Sequence, residues 1–169
     1  VYLDRSKQID VWIARGLSQT RPEFTLQQRQ FVQMSWNCMR RDMLKVGIIV
    51  FGELFENNLY VRRAFLQHTK GDVGRGREML KRHVHKVMCT LDKAVSLLDD
   101  EARLVASLYE VGTRHVQRNI RMELLDFLVP YIMRSLEPTF ERDIAQQLEE
   151  AWSNFLKYIM HILKEAMTF

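Results

Sequence analysis

The sequence predicts an all-α domain, and three observations carry that expectation. Apolar residues recur at 3.6-residue spacing along most of the chain, and no stretch alternates with the period of two that a half-buried strand requires. Glycine and proline are scarce, 7 and 3 in 169 residues, so the uninterrupted segments are long enough for helices. The hydrophobic content of 47% over that length suits one domain with a sizeable core.

The elements follow in order. Residues 1–24, with Trp12 in "IDVWIARGL" and Pro22 as a break, form an N-terminal extension expected to add an amphipathic turn or two and to dock through Trp12 and Ile13. Residues 25–169 form the main domain. Thr25 with Gln28 three residues on is a capping-box pattern, so a helix starts there and places Phe31, Met34, Ser35 and Cys38 along one side. "KVGIIVFGELFENN" is a strongly apolar helix ending near Asn57 and Asn58, and "GDVGRG" at 71–76 is the clearest loop, with helix resuming near Gly76. The Asp99–Asp100 pair divides the next two helices. "MELLDFLVPYIMRSL" is opened or kinked by Pro130, and Glu137-Pro138-Thr139 separates it from a long final helix.

Several function classes fall away. No apolar run approaches the ~18 residues of a membrane span, and the first residues lack a secretory pattern. A soluble cytoplasmic protein is expected, and the opening Val in place of Met reads as a domain cut from a longer chain. Cys38 and Cys89 have no CxxC or Cys/His spacing, so neither a disulfide framework nor a zinc site is indicated. The net charge of +4 is carried by clusters such as Arg62-Arg63, Arg75 to Arg82 and Arg114 to Arg121. These are interleaved with acids and accompanied by no aromatic ladder, so they read as a solvated face rather than a nucleic-acid surface.

"KRHVHKVMCTLDKAV" invites a metal site at His83 and His85. On a helix at 100° per residue, however, the two point about 160° apart and cannot chelate one ion. His83 sits at the edge of an apolar arc containing Leu80, Val84, Val87, Leu91 and Ala94, whereas His85 faces solvent. In the next helix, Leu104, Leu108, Val111 and His115 follow i, i+4, i+7, i+11 spacing, so His115 also points inward. Either histidine alone is more often a structural one held by a hydrogen bond. Two inward histidines on successive helices suggest ligands to a flat metal cofactor, and in an all-helical pocket that cofactor is haem. With no CxxCH attachment motif, the haem would be non-covalent haem b.

From residue 25 onward the chain resembles a globin. Trp36 matches the habitual tryptophan of the first helix, Gly47 the glycine at a close helix crossing, and Leu54-Phe55 the usual "LF" pair. Phe65 matches the corner phenylalanine that packs on haem, His83 and Val87 the distal histidine and the valine one turn on, and His115 the proximal histidine. Leu59 stands where many globins carry proline. The combination of Phe51, Phe65, His83, Lys86, Val87 and His115 is most similar to bis-histidyl, neuroglobin-like globins, including those of invertebrates and nematodes.

The resemblance implies a three-on-three helical sandwich and a haem whose iron is held by His115, with the other ring N–H of His115 reaching a carbonyl near Val111. It implies that His83 either coordinates the iron or hydrogen-bonds a diatomic ligand, and that bulky Phe51 limits ligand space. Lys86, Arg114 and Arg118 are the candidate partners of the haem propionates. The leading expectation is electron transfer, redox sensing or small-oxidant chemistry, with O2, CO or NO competing against His83 and with the basic stretches offering a docking surface to an acidic redox partner. The alternatives are a five-coordinate, reversible oxygen-binding globin and a haem-free helical adaptor. No residue is assigned as catalytic.

Overall fold

The computed structural model describes residues 7, 10, 11, 21–67 and 72–168. Trp12 and Ile13, expected to anchor the extension, lie outside the described residues. The described residues contain no strand. They form α1 (Leu26–Met39), α2 (Met43–Asn57), α3 (Leu59–Leu66), α4 (Val73–Ser96), α5 (Glu101–Gln117), α6 (Glu123–Asp126), α7 (Val129–Leu136) and α8 (Ala145–Met167). Short 3-10 turns join α1 to α2 and α7 to α8. α1, α4 and α5 make one layer and α2, α7 and α8 the other, with the main crossings α5 on α8, α1 on α8 and α2 on α4. This is a three-on-three globin sandwich.

Local sequence explains most boundaries. Thr25 and Gln28 exchange both bonds of the capping box, at 3.2 and 3.1 Å, satisfying two backbone donors that a helix start leaves open. Asp100 caps α5 through Arg103 N at 3.2 Å. Pro130 sits in the first turn of α7, where its missing N–H costs nothing. α4 starts earlier than the loop-like "GDVGRG" suggested: the Asp72 side chain accepts from Arg75 N at 2.9 Å, so helix begins at Val73. In α1 the buried stripe is Val32, Ser35, Trp36 and Met39, with Met34 and Cys38 exposed. That is about one residue's rotation from the face expected. Trp36 sets it, packing at 5.8 Å and a 45° tilt against Trp152 and donating its indole N–H to Asp92 at 2.8 Å.

Two glycines permit close crossings. A Cβ on Gly47 would lie 2.6 Å from Met88 Cγ and 2.8 Å from Val84 Cγ1, so the glycine brings α2 onto α4. A Cβ on Gly112 would meet Ala166 Cβ at 2.6 Å and the Leu163 carbonyl at 2.7 Å, so α5 lies directly on the α8 backbone. Residues 21–24 pack on the same region. Arg21 reaches Glu101 at 3.0 Å and Glu165 at 3.6 Å, while Phe24 stacks against Phe155 and Tyr158 at 5.8 and 6.0 Å. No helix among the described residues is long and apolar enough to cross a membrane.

Candidate functional site

His83 sits midway along α4 and His115 in the last turn of α5. Each is half-buried, whereas His85 is exposed, as a helical phase demands. The His83 ring is set between two phenylalanines. Phe51 from α2 meets it edge-on at 5.4 Å and 88°, and Phe65 from α3 lies 5.2 Å away at 59°. Phe55, which the sequence suggested only as half of an "LF" pair, completes the cluster at 6.0 Å from Phe51 and 5.3 Å from Phe65. Neither ring nitrogen of His83 has a hydrogen-bond partner among the described residues.

Its electrostatics are correspondingly shifted. Burial, then the nearby charges of His115, Arg118 and Lys86, bring the His83 pKa down from 6.5 to about 4. All four effects oppose a second positive charge, so His83 is a neutral imidazole at neutral pH with a lone pair available for a metal or an acceptor role.

His115 is oriented from behind. Its Nδ1 lies 2.8 Å from the Val111 carbonyl. A carbonyl only accepts, so Nδ1 carries the proton and Nε2 is left with the lone pair. The chain then turns sharply. Asn119 adopts φ 55° and the Ile120 N–H returns to the His115 carbonyl at 3.0 Å, ending α5 just after the histidine. Nothing in the local pattern singled out Asn119, although asparagine is among the few residues that take this conformation readily.

The remaining candidates fall into two groups. Val87 and Val111, one turn from each histidine, pack on the core yet are only partly covered. Lys86 and Arg118 are exposed and lie close enough to act on His83. Arg114 instead pairs with Glu110 at 2.6 Å, an i, i+4 contact along α5.

A model of the globin family matches residues 49–163. Neuroglobin-1 of Oncorhynchus mykiss is 24% identical over 143 residues, spanning 82% of this chain and 89% of the relative. Neuroglobin of Danio rerio is 27% identical over 125 residues, covering 72% and 78%, and the Globin-2 B chain of Anadara inaequivalvis 23% over 134, covering 78% and 87%. The family match takes in more than half of the chain and both inward histidines, and the chain belongs to the globin family.

Proposed function

We propose that this globin holds its iron between His115 and His83 and works in electron transfer, redox sensing or small-oxidant chemistry rather than in bulk oxygen storage. Membership of the family implies haem b as the prosthetic group. The residues fit it. Two imidazoles are the protein donors, and among the described residues no group of three or more His, Cys, Asp or Glu could hold a bare ion, whereas a haem macrocycle brings the other four donors itself. The half-covered Val87 and Val111 supply apolar surface for a flat ring. Bound there, haem b supplies an iron that exchanges one electron and accepts small ligands such as O2, CO and NO.

The observation that carries the bis-histidyl reading is the setting of His83: neutral, without a hydrogen-bond partner among the described residues, and held between Phe51, which meets it edge-on, and the tilted ring of Phe65. A ring so constrained has already given up rotational freedom, so little more is lost when Nε2 takes a ligand position. His115 acts as the permanent ligand, its ring oriented by the bond to the Val111 carbonyl. Lys86 and Arg118 flank the His83 side as propionate partners, whereas Arg114 serves only by leaving Glu110. The exposed basic residues from Arg75 to Lys86 and from Arg114 to Arg121 form the docking surface for an acidic redox partner.

Absorption spectra of the purified protein test this. Low-spin, six-coordinate bands are expected in both ferric and ferrous forms without added ligand. His83→Leu should convert the ferrous form to five-coordinate and speed CO binding, which in the unaltered protein should saturate with CO concentration because His83 must leave first. A high-spin ferrous spectrum in the unaltered protein would refute the second ligand and favour reversible oxygen binding with His83 as a hydrogen-bond donor.

A further inference from the structure

The outer face of α2 serves neither the core nor the candidate pocket. Ile48 and Ile49 are 58% and 52% exposed, among the more exposed large apolar side chains described. Gly52, one turn on, is stranger. Glycine inside a helix costs roughly 1 kcal/mol relative to alanine, and Gly47 on the same helix has a reason in its close crossing with α4. A Cβ on Gly52 would meet nothing within 4 Å among the described residues. None of them has a use for a missing side chain there.

The charges on that face are ordered. Taking Ile49 as zero at 100° per residue, Glu56, Lys45, Gly52 and Ile48 lie within an arc of about 100° on one side. Lys45 stands at the N-terminal end of the stripe and Glu56 at the C-terminal end, both exposed. Neither forms an ion pair with another described residue.

We propose that this face is a homodimer interface in which two copies of α2 cross antiparallel about a two-fold axis near the midpoint of Val50 and Phe51. With that axis, Ile49 of one copy seats over Gly52 of the other and Lys45 lies across from Glu56, each contact occurring twice. The bare Gly52 lets the helix axes approach to the near end of the usual ~8–10 Å range. A parallel arrangement would set lysine against lysine and glutamate against glutamate, so the charge order selects the antiparallel one. A single helix crossing covers less than the ~800 Å² per partner of a standard interface, so the dimer is a reversible one that strengthens with protein concentration.

Sedimentation velocity of the purified full chain over a hundredfold concentration range tests the proposal, with circular dichroism confirming the fold of each variant. A concentration-dependent dimer is expected, and Ile49→Arg should abolish it. Lys45→Glu or Glu56→Lys alone should each weaken it by about tenfold, since symmetry makes every substitution count twice. The double variant Lys45→Glu/Glu56→Lys should restore it. A monomer at every concentration overturns the proposal and leaves the face to a different protein. A dimer indifferent to Ile49→Arg, or a double variant as weak as the singles, overturns it equally.

Discussion

Replacing Gly112 by alanine tests whether the crossing that positions His115 is as close as it is drawn. The new Cβ would stand 2.6 Å from Ala166 Cβ and 2.7 Å from the Leu163 carbonyl. Ordinary contacts of this kind are near 3.5 Å or longer, so α5 and α8 must part by about 1 Å. The obstructing oxygen belongs to the α8 backbone and cannot rotate away. Overpacking of this sort costs roughly 1–3 kcal/mol, and the better helix propensity of alanine offsets about 1 kcal/mol. Because the obstruction is backbone, the cost falls in the upper half of that range, about 2–3 kcal/mol, which leaves a net loss of about 1–2 kcal/mol and lowers the urea midpoint with the slope unchanged. Gly47→Ala is the internal comparison. Its new Cβ meets only side-chain atoms, Met88 Cγ and Val84 Cγ1, which can shift by rotation where a backbone carbonyl cannot, so it should lose less. Because His115 lies one turn beyond Gly112, the Gly112 variant should also bind haem more weakly. If Gly112→Ala unfolds at the same urea concentration as the unaltered protein, or a higher one, the close crossing is wrong.

The ligand assignment makes a paired prediction: His115→Ala should abolish stable haem incorporation, while His85→Ala should leave the absorption spectrum unchanged. Full haem occupancy in the first variant, or a lost Soret band in the second, would reverse the helical phase on which the site rests. Tyr158 makes a prediction about alkaline pH. Burial first, then the hydrogen bond and charge of Glu101, push its pKa up to about 12 from 10. The folded protein therefore keeps this proton where the unfolded chain releases it. The stabilisation is whole below pH 10 and declines by up to about 3 kcal/mol as pH rises to 12. Tyr158→Phe should flatten that decline in urea midpoints measured across pH 9–12, and an equally steep decline in the variant would exclude Tyr158 as its source.

What could be read from the sequence was what depends on near neighbours. The Thr25–Gln28 box, the Asp99–Asp100 break and the position of Pro130 are local chemistry, and each sets its boundary. His115 was visible because its stripe of Leu104, Leu108 and Val111 is regular, and both leucines are buried. The α1 phase was not visible in the same way. That helix offers two overlapping apolar stripes, and the choice falls to Trp36, whose partners Asp92 and Trp152 lie far along the chain. Gly112 looked like any helical glycine because its reason is Ala166, on another helix. The link from buried Arg21 to Glu101 and Glu165 was equally hidden, since charge pairing across such separations leaves no periodic trace.

The His83 imidazole is kept neutral for a reason that spans the fold. Phe51 comes from α2, Phe65 from α3, and the opposing charges from α4 and α5. α2 is seated on α4 by Gly47, and α5 on α8 by Gly112. The aromatic walls therefore approach His83 through one close crossing, while the second fixes the helix that carries His115 and Arg118. Burial is the largest of the effects on the His83 proton, and the Gly47 crossing contributes to it by seating the helix of Phe51 against the ring. Arg118 and Lys86 are the two least of the four causes, so pairing them with carboxylates would leave burial and His115 acting on the His83 proton. The neutrality of the ring is therefore set first by the packing and only then by the charged rim.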